Sequence, residues 1–415
     1  MKITRVQSFL LSYPMPEVVF LPYYGGERTI VKRDALLIRV ETDKGIVGYA
    51  PGQGSELTHE RIRDIIAPFL AGRTLAEPDA LRVIFQEGPG ADREVFKAYC
   101  SVEVALLDAL GKALGVAVSE LVGGRVRDTI RLYGSAGMYQ PPERYAEEAA
   151  GIAALGFKAY KMRPALGPDE DLRTVRLMRE AVGPGVDLMV DAHSWWRMGD
   201  RSYTPSQVEQ LAAAMAEYEI AWLEEPLPPQ DHAAYAALRE KELVPIATGE
   251  HEPDQEGFLD LIHRRCADFI QADVVCQGGY TMGRRLFAEI ARAKLRFAFH
   301  SWGTDLEVLA AAHLGICWPE HVVEWLEYPV YTTPRLKTMY PWPLATEILK
   351  QPLTIENGEL VVPSAPGLGI DVDEGVIARY PWKPGPWSYF KLFSPPETFA
   401  VMADHSVPWA GEMHR

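Results

Sequence analysis

Eight short apolar segments recur between residues 129 and 328, and the segments that separate them have the periodicity of amphipathic helices. A helical segment such as PSQVEQLAAAMAEYE opens on Pro, and others open on acidic residues and close near Gly, as helix termini prefer. Eight strand–helix units over about 230 residues match a (β/α)8 barrel in number and size. An open doubly wound sheet is the alternative, but it normally has fewer units. The eight apolar segments are IRLYGSAG, KAYKMRP, DLMVDAH, AWLEEP, PIATGE, DFIQADV, RFAFHSW and VVEWLEY.

The rest of the chain flanks the predicted barrel. Residues 35–50 contain two strand-like runs around Asp43-Lys44-Gly45, which is typical of a hairpin, and residues 57–121 have helical spacing. Strands followed by helices favour an α+β domain. The C-terminal end, rich in Pro, Gly and Trp, forms no further unit, and we expect it to pack back on the N-terminal domain. The predicted divisions are residues 1–125 (α+β domain), 126–360 (barrel) and 361–415 (returning segment).

The charge of the chain limits its partners. Its 415 residues include 42 Lys and Arg against 57 Asp and Glu, a formal net charge of −15. This excess of acid argues against nucleic acid and against anionic membrane surfaces, which both attract basic faces. No apolar run approaches the length of a membrane span, the N-terminal run is too interrupted for a signal peptide, and the four cysteines form no CxxC pair. We expect a cytoplasmic protein that acts on a small molecule.

Polar side chains follow the predicted barrel strands at the same end of each strand. In a barrel of this kind the catalytic groups lie at the C-terminal strand ends, so these side chains are expected to share one central site. The positions from the second strand to the seventh are 23 to 33 residues apart, one per unit. They are Lys161 with Arg163, Asp191 with His193, Glu224 with Glu225, Glu250 with His251, Asp273 and His300, followed by Glu324 or Glu327 on the eighth strand.

Three of these carboxylates suit a divalent cation. Asp191, Glu224 and Glu250 come from neighbouring strands, and Mg²⁺ prefers oxygen ligands and keeps open positions for water and substrate. Lys161 and Arg163 are two residues apart and project to one face of their strand, where they can hold a substrate carboxylate and offset developing negative charge. For any single one of these carboxylates, the simpler interpretation is a solvated residue at a strand end. For Lys161 or Arg163 alone, it is a solvated cation at the barrel rim.

His300 is a candidate general base, and Asp273 on the adjacent strand is placed to fix its tautomer and raise its basicity. A lone histidine after an apolar strand is more often an ordinary packed or rim residue. The neighbouring carboxylate favours the functional interpretation.

Together these residues resemble the enolase superfamily, and within it the mandelate racemase subgroup, most of all its sugar-acid dehydratases. The motifs YKMR, VDAH, WLEEP, TGE, QAD and FHS occur in the family's order, and AYCSVEVALLDALGKALGVAVSELVGG (residues 98–124) is similar to its N-terminal helical pattern. The resemblance covers essentially the whole chain. It implies a modified (β/α)7β barrel with an α+β capping domain, which the C-terminal segment completes, and a homo-oligomer.

The resemblance also implies a chemistry, the removal of the proton α to a carboxylate through a Mg²⁺-stabilised enediolate. It assigns Asp191, Glu224 and Glu250 as metal ligands, and it matches Lys161 to the first lysine of the family's KxK motif. Two further matches are the His–Asp dyad, His300 with Asp273, and the strand-eight glutamate that hydrogen-bonds the enediolate, Glu327, with Glu324 as the alternative.

Two differences from the family's motifs decide between racemisation and dehydration. Arg163 stands where racemases of this type have a second lysine, and arginine does not readily serve as a base, so racemisation through it is disfavoured. His193, two residues after Asp191, gives the Asp-x-His arrangement that resembles galactonate dehydratase, where the histidine protonates the departing 3-hydroxyl. Elimination of a poor leaving group needs an acid as well as a base. A supporting role beside Asp191 is the alternative for His193.

We therefore predict a hydro-lyase, a Mg²⁺-dependent dehydratase of an anionic sugar acid, specifically an aldonate, that forms a 2-keto-3-deoxy acid. A racemase or epimerase using His193 and His300 as opposed bases is the second hypothesis. Cycloisomerase activity is disfavoured because related cycloisomerases use a strand-six lysine where this chain has Asp273. A barrel that only binds or scaffolds is a third. Substrate choice is expected to lie in residues 21–26 and 51–54, with Trp195, Trp196, His251 and Trp302 as candidate substrate contacts.

Overall fold

The N-terminal part of the molecule is an antiparallel sheet followed by helices. The computed structural model describes residues 1–273, 277–333, 336, 339–402 and 406–408. The first two strands pair along most of their length, from Ile3 opposite Thr42 to Tyr23 opposite Gly26, and their register shifts between Pro14 and Val19. The second and third strands form the predicted hairpin around residues 43–45. These strands are β1 (Ile3–Tyr23), β2 (Gly26–Thr42) and β3 (Val47–Gly52).

One long helix, α4, joins this sheet to the barrel. Asp92 caps its start by accepting hydrogen bonds from the backbone N–H groups of Glu94 and Val95, and it ends at Gly115 in the left-handed conformation. Most of it is buried, and it packs on β3 so closely that a Cβ at Gly48 would lie 2.1 Å from a backbone oxygen of α4. The helices of this part are α1 (Glu56–Arg61), α2 (Ala67–Leu70), α3 (Pro78–Gln86), α4 (Arg93–Leu114) and α5 (Val118–Leu121), with a π-helical turn at Ile62–Ile66.

The middle of the chain is a closed barrel of eight parallel strands. Each strand pairs with the next in chain order, and the last pairs with the first, with Glu327 opposite Tyr133. Among the described residues, one α-helix longer than eight residues connects each strand to the next, seven in all, which confirms the modified (β/α)7β barrel. The strands are β4 (Thr129–Met138), β5 (Ala159–Arg163), β6 (Asp187–Asp191), β7 (Trp222–Glu224), β8 (Ile246–Thr248), β9 (Phe269–Ala272), β10 (Arg296–Phe299) and β11 (Val323–Pro329). The connecting helices are α6 (Pro142–Ala154), α7 (Pro168–Val182), α8 (Pro205–Met215), α9 (His232–Glu240), α10 (Gln255–His263), α11 (Gly279–Ala293) and α12 (Asp305–Gly315).

The C-terminal segment returns to both parts. One of its strands, β13, pairs with β4 of the barrel, and β14 pairs with β2 and so extends the N-terminal sheet. The capping sheet is therefore built from both ends of the chain, while the residue limits given above for the three divisions stay predictions. None of the described helices is long and apolar enough to cross a bilayer. The elements of the segment are α13 (Pro343–Glu347), β12 (Ile355–Glu356), β13 (Glu359–Val361), α14 (Val376–Arg379), β14 (Ser388–Phe393), β15 (Pro396–Val401) and β16 (Ser406–Pro408).

An apolar layer fills the barrel interior, with one side chain from each strand. Large and small side chains share this layer, which is buried throughout. Because side chains two residues apart on a strand point the same way, the next inward-facing layer lies two residues further along each strand. The apolar layer consists of Tyr133, Ala159, Met189, Trp222, Ala247, Phe269, Ala298 and Trp325.

Candidate active site

The layer above the apolar one is polar, and it contains most of the residues predicted from the sequence. Five of its eight positions hold predicted site residues, and two more hold polar residues that the sequence reasoning did not select, Ser135 and Gln271. The side chains two residues beyond the apolar layer on each strand thus form a polar chamber above it. The five are Lys161, Asp191, Glu224, His300 and Glu327.

Lys161 lies at the centre of this chamber and is fully buried. Its Nζ donates to Oε1 of Glu224 at 2.7 Å, and it is 3.1 Å from Oε1 of Glu327 and 3.8 Å from Oδ2 of Asp191. Burial alone would lower the pKa of Lys161, but Glu224 and Glu327 hold it above its usual value. The ammonium group is therefore a permanent cation among three carboxylates.

Arg163 lies beside Lys161 and spans two of the same carboxylates. Its Nε is 2.8 Å from Oδ2 of Asp191, and its Nη2 donates to Oε1 of Glu327 at 3.1 Å. The guanidinium also stacks 3.9 Å above the Trp302 ring. Burial opposes its charge, but Asp191 and Glu327 raise the pKa of Arg163, so it is fixed as a cation and excluded as a base.

The two strand-eight glutamates lie at opposite ends of β11. Glu327 is buried and accepts the backbone N–H of Ser301 at 3.0 Å in addition to its contacts with Lys161 and Arg163. Glu324 instead pairs with Arg131 and Arg296, each at the start of its strand, and so lies at the far end of the barrel. The structure thus places Glu327, and not Glu324, in the chamber.

His300 follows β10 directly and faces two carboxylates. Its Nε2 lies 3.4 Å from Oε2 of Glu250 and 3.8 Å from Oε2 of Glu327. Its Nδ1 is 3.9 Å from Oδ2 of Asp273, which brings the predicted dyad together at a distance too long for a hydrogen bond. The ring is thus placed between the predicted dyad partner and the carboxylate chamber.

His193 lies across the barrel from His300, because their strands are four apart in a closed barrel of eight. Its Nε2 is 3.3 Å from Oδ1 of Asp191, and its Nδ1 is 3.4 Å from the hydroxyl of Tyr139. Its backbone has φ of 48°, a left-handed conformation that is uncommon outside glycine and found at functional sites. Burial lowers the pKa of His193 well below its usual value, and the nearby cations Arg163 and Arg28 lower it further.

A second acidic group lies next to the predicted ligands. Glu225, Glu250 and His251 place ligand atoms within 4.8 Å of one another, an arrangement that can hold a metal ion. His251 is already paired, with Nδ1 2.7 Å from Oε2 of Glu225, and although burial opposes it, Glu225 raises the pKa of His251 to about 10. The contact with Glu225 already engages Nδ1 of His251, one of the two ring nitrogens that could bind a metal ion.

The predicted ligands have the chemistry that a hard cation needs. Oδ2 of Asp191 lies 2.8 Å from Nε of Arg163 and Oε2 of Glu250 lies 3.4 Å from Nε2 of His300, but neither buried oxygen accepts a well-aligned hydrogen bond from a described residue. Burial and the neighbouring charge of Glu224 raise the pKa of Asp191, so the carboxylates oppose one another as anions. An added cation relieves both conditions, and oxygen donors suit a hard ion such as Mg²⁺.

A cleft of about 230 Å³ opens between the barrel and the cap at His300. Residues 51–54 meet the barrel there, since Gly52, Gln53 and Gly54 line the cleft with His300 and Trp302. The side chain of Trp302, one of the predicted substrate contacts, lies between the chamber and the cap. The cleft is a candidate substrate pocket whose walls come from both parts of the molecule.

Residues 21–26 are the tip of the β1–β2 hairpin, and they contact the loop after β6. The hydroxyl of Tyr23 donates to the backbone oxygen of Arg197 at 2.6 Å, and its ring stacks on Tyr139 at 4.7 Å. Tyr139 in turn lies beside His193. Both predicted segments of the cap therefore meet the barrel mouth, each near a different histidine.

Sequence reasoning missed four residues that line or support the chamber, Ser135, Gln271, Arg33 and Tyr139. Gln271 lies inside the recognised motif QAD and Ser135 lies on the first barrel strand, so a stricter use of the two-residue period would have found both. Arg33 and Tyr139 lie on the cap and beyond β4, in no motif that the sequence reasoning used. Their proximity is a product of tertiary folding.

Two known protein families match successive parts of the chain. The family described as mandelate racemase / muconate lactonizing enzyme, N-terminal domain, matches residues 16–123, and the family described as enolase C-terminal domain-like matches residues 144–376. The second match alone covers more than half of the chain. The chain belongs to the enolase superfamily. Its sequence resemblance to the mandelate racemase subgroup is thereby confirmed.

Relatives in this superfamily are similar over nearly the whole chain. D-galactarolactone cycloisomerase of Agrobacterium fabrum is 27% identical over 92% of this chain and 99% of its own length. D-xylonate dehydratase of Haloferax volcanii is 28% identical over 83% and 85%. A solved structure of an enolase superfamily member from Polaromonas sp. JS666 has a TM-score of 0.81 and 29% identity over 93% of this chain and 99% of that one. These relatives confirm an enzyme of the superfamily branch that contains sugar-acid dehydratases and isomerases.

Proposed function

We propose that this protein is a Mg²⁺-dependent dehydratase of a sugar acid, which converts it into a 2-keto-3-deoxy acid. One observation carries the proposal, the placement of His193 and His300 on opposite sides of the chamber that holds Lys161 and Arg163. Elimination of water needs a base at the carbon next to the carboxylate and an acid at the hydroxyl one carbon further on. An aldonate, the substrate class predicted from the sequence, has both groups.

His300 is the proposed base. It takes the proton from the carbon next to the substrate carboxylate, and its ring lies between Asp273, 3.9 Å from Nδ1, and Glu250, 3.4 Å from Nε2. Lys161 and Arg163 stabilise the negative charge that develops on the carboxylate. These cations are preorganised by Glu224, Asp191 and Glu327, so they need not reorient during the reaction.

His193 is the proposed acid. As the C3–O bond breaks and the C2–C3 double bond forms, its proton combines with the departing hydroxide to give water. The resulting enol takes a proton at C3 and becomes the ketone. A substrate carboxylate near Arg163 and Arg28 offsets the two cations that disfavour the protonated ring of His193.

Asp191, Glu224 and Glu250 are the proposed ligands of Mg²⁺. They come from the ends of three consecutive barrel strands, and they supply oxygen donors only. The ion, when bound, adds positive charge that makes the weakly acidic α proton removable near neutral pH. Lys161 touches one of these carboxylates directly and so couples the cation site to the substrate carboxylate.

Two observations favour an isomerase as the second candidate. His193 and His300 lie on opposite sides of the chamber, as the two bases of an epimerase must, and one relative is a cycloisomerase. Arg163 is fixed as a cation and does not supply the second base itself. An epimerase would therefore have to use His193.

A panel of five- and six-carbon aldonates and aldarates, incubated with the Mg²⁺-loaded protein in D₂O, separates these functions. A dehydratase forms a 2-keto acid from at least one member, detected as its semicarbazone. An epimerase instead returns the substrate with deuterium at C2 and no keto acid. If no member gives keto acid or exchange, both functions are wrong and a binding or structural role gains support.

A further inference from the structure

Arg33, on strand β2 of the cap, is a buried cation without an anionic partner among the described residues. The residue is only 4% exposed, and its Nε and Nη2 make no hydrogen bond within the described part of the chain. The neighbouring carboxylate of Asp34 is already engaged, since it lies 3.0 Å from Nζ of Lys32 and accepts from the hydroxyl of Ser12 at 2.7 Å. Burial accordingly lowers the pKa of Arg33. Burying a guanidinium without an ion-pair partner costs free energy, unless a ligand supplies the missing hydrogen-bond acceptors.

The guanidinium lies at the cleft that contains His300. Arg33, His300 and Trp302 line the same cavity. Arg33 is held there by aromatic rings, 4.1 Å from the centroid of Tyr340 and 4.8 Å from that of Trp387. Rigid packing of this kind keeps the side chain in place without consuming its hydrogen-bond donors.

Two aromatic rings connect Arg33 to the chamber. Arg163 stacks on Trp302, Trp302 packs against Tyr340 at 4.3 Å, and Tyr340 packs against Arg33. One guanidinium thus lies at each end of this aromatic wall, and the outer one lines the cleft. The inner one is paired with protein carboxylates, whereas Nε and Nη2 of the outer one are buried and make no hydrogen bond to a described residue.

We infer that Arg33 binds a second carboxylate at the far end of the substrate, so that the sugar acid is a dicarboxylate, an aldarate, and not an aldonate. The inference rests on the proposed function, and it narrows the substrate class. Nε and Nη2 form one edge of the guanidinium, and this edge donates two parallel hydrogen bonds to the oxygens of a carboxylate. The proposed reaction uses only the first carboxylate, which lies at Lys161 and Arg163, and leaves the second one to Arg33.

The wild-type protein tests this directly through paired substrates. Each aldarate of the panel is compared with the aldonate of the same configuration, which has a hydroxymethyl group in place of the distal carboxylate, and with the 6-phosphoaldonate. We expect kcat/KM for one aldarate to exceed that of its aldonate by about 10- to 100-fold, because this ratio corresponds to the free energy of hydrogen bonds to a buried charge. Equal values for the pair, or a preference for the phosphorylated acid, would overturn the assignment.

Arg33→Gln shows whether this residue carries the preference. The variant is expected to lose the aldarate preference mainly through a higher KM for the aldarate, and Arg33→Lys is expected to restore the preference only in part because it lacks the planar edge. Arg39→Gln on the same strand is the matched control, since Arg39 pairs with Glu41 and Glu374 away from the cleft. An unchanged preference in folded Arg33→Gln would contradict the inference.

A binding measurement separates this inference from the proposed function. Calorimetric titration of galactarate, glucarate and their aldonates into the Mg²⁺-loaded wild type and Arg33→Gln does not require turnover. Arg33-dependent binding of a dicarboxylate without keto-acid formation would support the inference and contradict the dehydratase. Dehydration of aldonates with no Arg33-dependent binding of any dicarboxylate would support the dehydratase and contradict the inference.

Discussion

The ammonium group of Lys161 lies 2.7 Å from Oε1 of Glu224, one of the three carboxylates proposed to hold Mg²⁺. Both groups are fully buried, and Lys161 also contacts Glu327. The cation that is proposed to bind the substrate thus also balances the charge of the proposed metal ligands. Substrate site and metal site are parts of one charge network.

Lys161→Met is expected to lower the stability of the metal-free protein by about 3–5 kcal/mol, the cost of leaving buried carboxylates without their ammonium partner. Because Mg²⁺ would then be the main cation near Glu224, the increase in Tm on adding Mg²⁺ should be larger in the variant than in the wild type. Differential scanning calorimetry with EDTA and with Mg²⁺ measures both quantities.

Lys112→Met is the matched control for that experiment. Lys112 also donates to a buried carboxylate at 2.7 Å, but its partner Asp108 lies on α4 of the cap. This variant should lose stability without any change in the response to Mg²⁺. An equal Mg²⁺ response in Lys161→Met and Lys112→Met would contradict the proposed coupling.

Two possible ligand sets share Glu250 and differ in their other members. Asp191→Asn is expected to weaken Mg²⁺ binding by at least about tenfold, since even residues that only support a ligand cost that much. His251→Asn should leave the affinity within a few-fold, because His251 is paired with Glu225. Titration of Mg²⁺ against Tm compares the two, and a greater loss in His251→Asn would assign the metal to the Glu225–Glu250–His251 cluster.

The two glutamates of β11 give a further matched pair. Glu327→Gln weakens the partner of Lys161 and Arg163 and should lower kcat by at least about 100-fold. Glu324→Gln affects only the ion pairs with Arg131 and Arg296 at the other end of the barrel, and it should cost less than about 1 kcal/mol of stability with kcat unchanged. Steady-state kinetics on the substrate found in the panel decides, and a loss of kcat in Glu324→Gln would contradict this placement.

Asp171, at the start of α7, should make the protein less stable as the pH rises. Burial raises its pKa to about 7, although it accepts hydrogen bonds from the hydroxyl of Tyr203 and the backbone N–H of Leu166. A carboxyl whose pKa is higher in the folded state than its ordinary value near 3.8 binds more protons when folded, so its contribution to stability falls as the pH rises between the two values and is fully lost above about 7.

The measurement is the free energy of unfolding of wild type and Asp171→Asn at pH 6 and pH 8. Between these values the Asp171 contribution in the wild type should fall by roughly 1 kcal/mol. Asp171→Asn lacks this contribution, so its stability relative to the wild type should be higher at pH 8 than at pH 6. A difference between the two proteins that does not change with pH would show that Asp171 titrates outside this range.

The barrel could be predicted from the sequence because its signal is local and repeated. Each strand is a short apolar run ending in a polar residue, and the two-residue period that places Lys161 above Ala159 is visible in the letters alone. By contrast, β1 was not predicted as a strand of 21 residues. Pro14 and Pro16 interrupt its pattern, and they are tolerated because β1 lies at the edge of its sheet with a register shift at that point.

The cap's contribution to the site is non-local, and for that reason the sequence reasoning did not reach it. Arg33 lies on a strand far from the barrel in sequence, and only the folded chain places it in the cleft with His300. The same holds for Tyr139 beside His193. Motifs identify residues that share a chemistry, whereas the residues that select a substrate depend on how two parts of the molecule meet.

Proton NMR in D₂O follows the substrate directly, with metal-free protein to which Mg²⁺ is then added. We expect the C2 proton signal to disappear, and a 2-keto-3-deoxy acid with one deuterium at C3 to accumulate, only after Mg²⁺ is present. His300→Asn should slow this by about 10²- to 10⁴-fold. Keto acid formed equally fast without Mg²⁺, or by His300→Asn at the wild-type rate, would contradict Mg²⁺-dependent proton abstraction by His300.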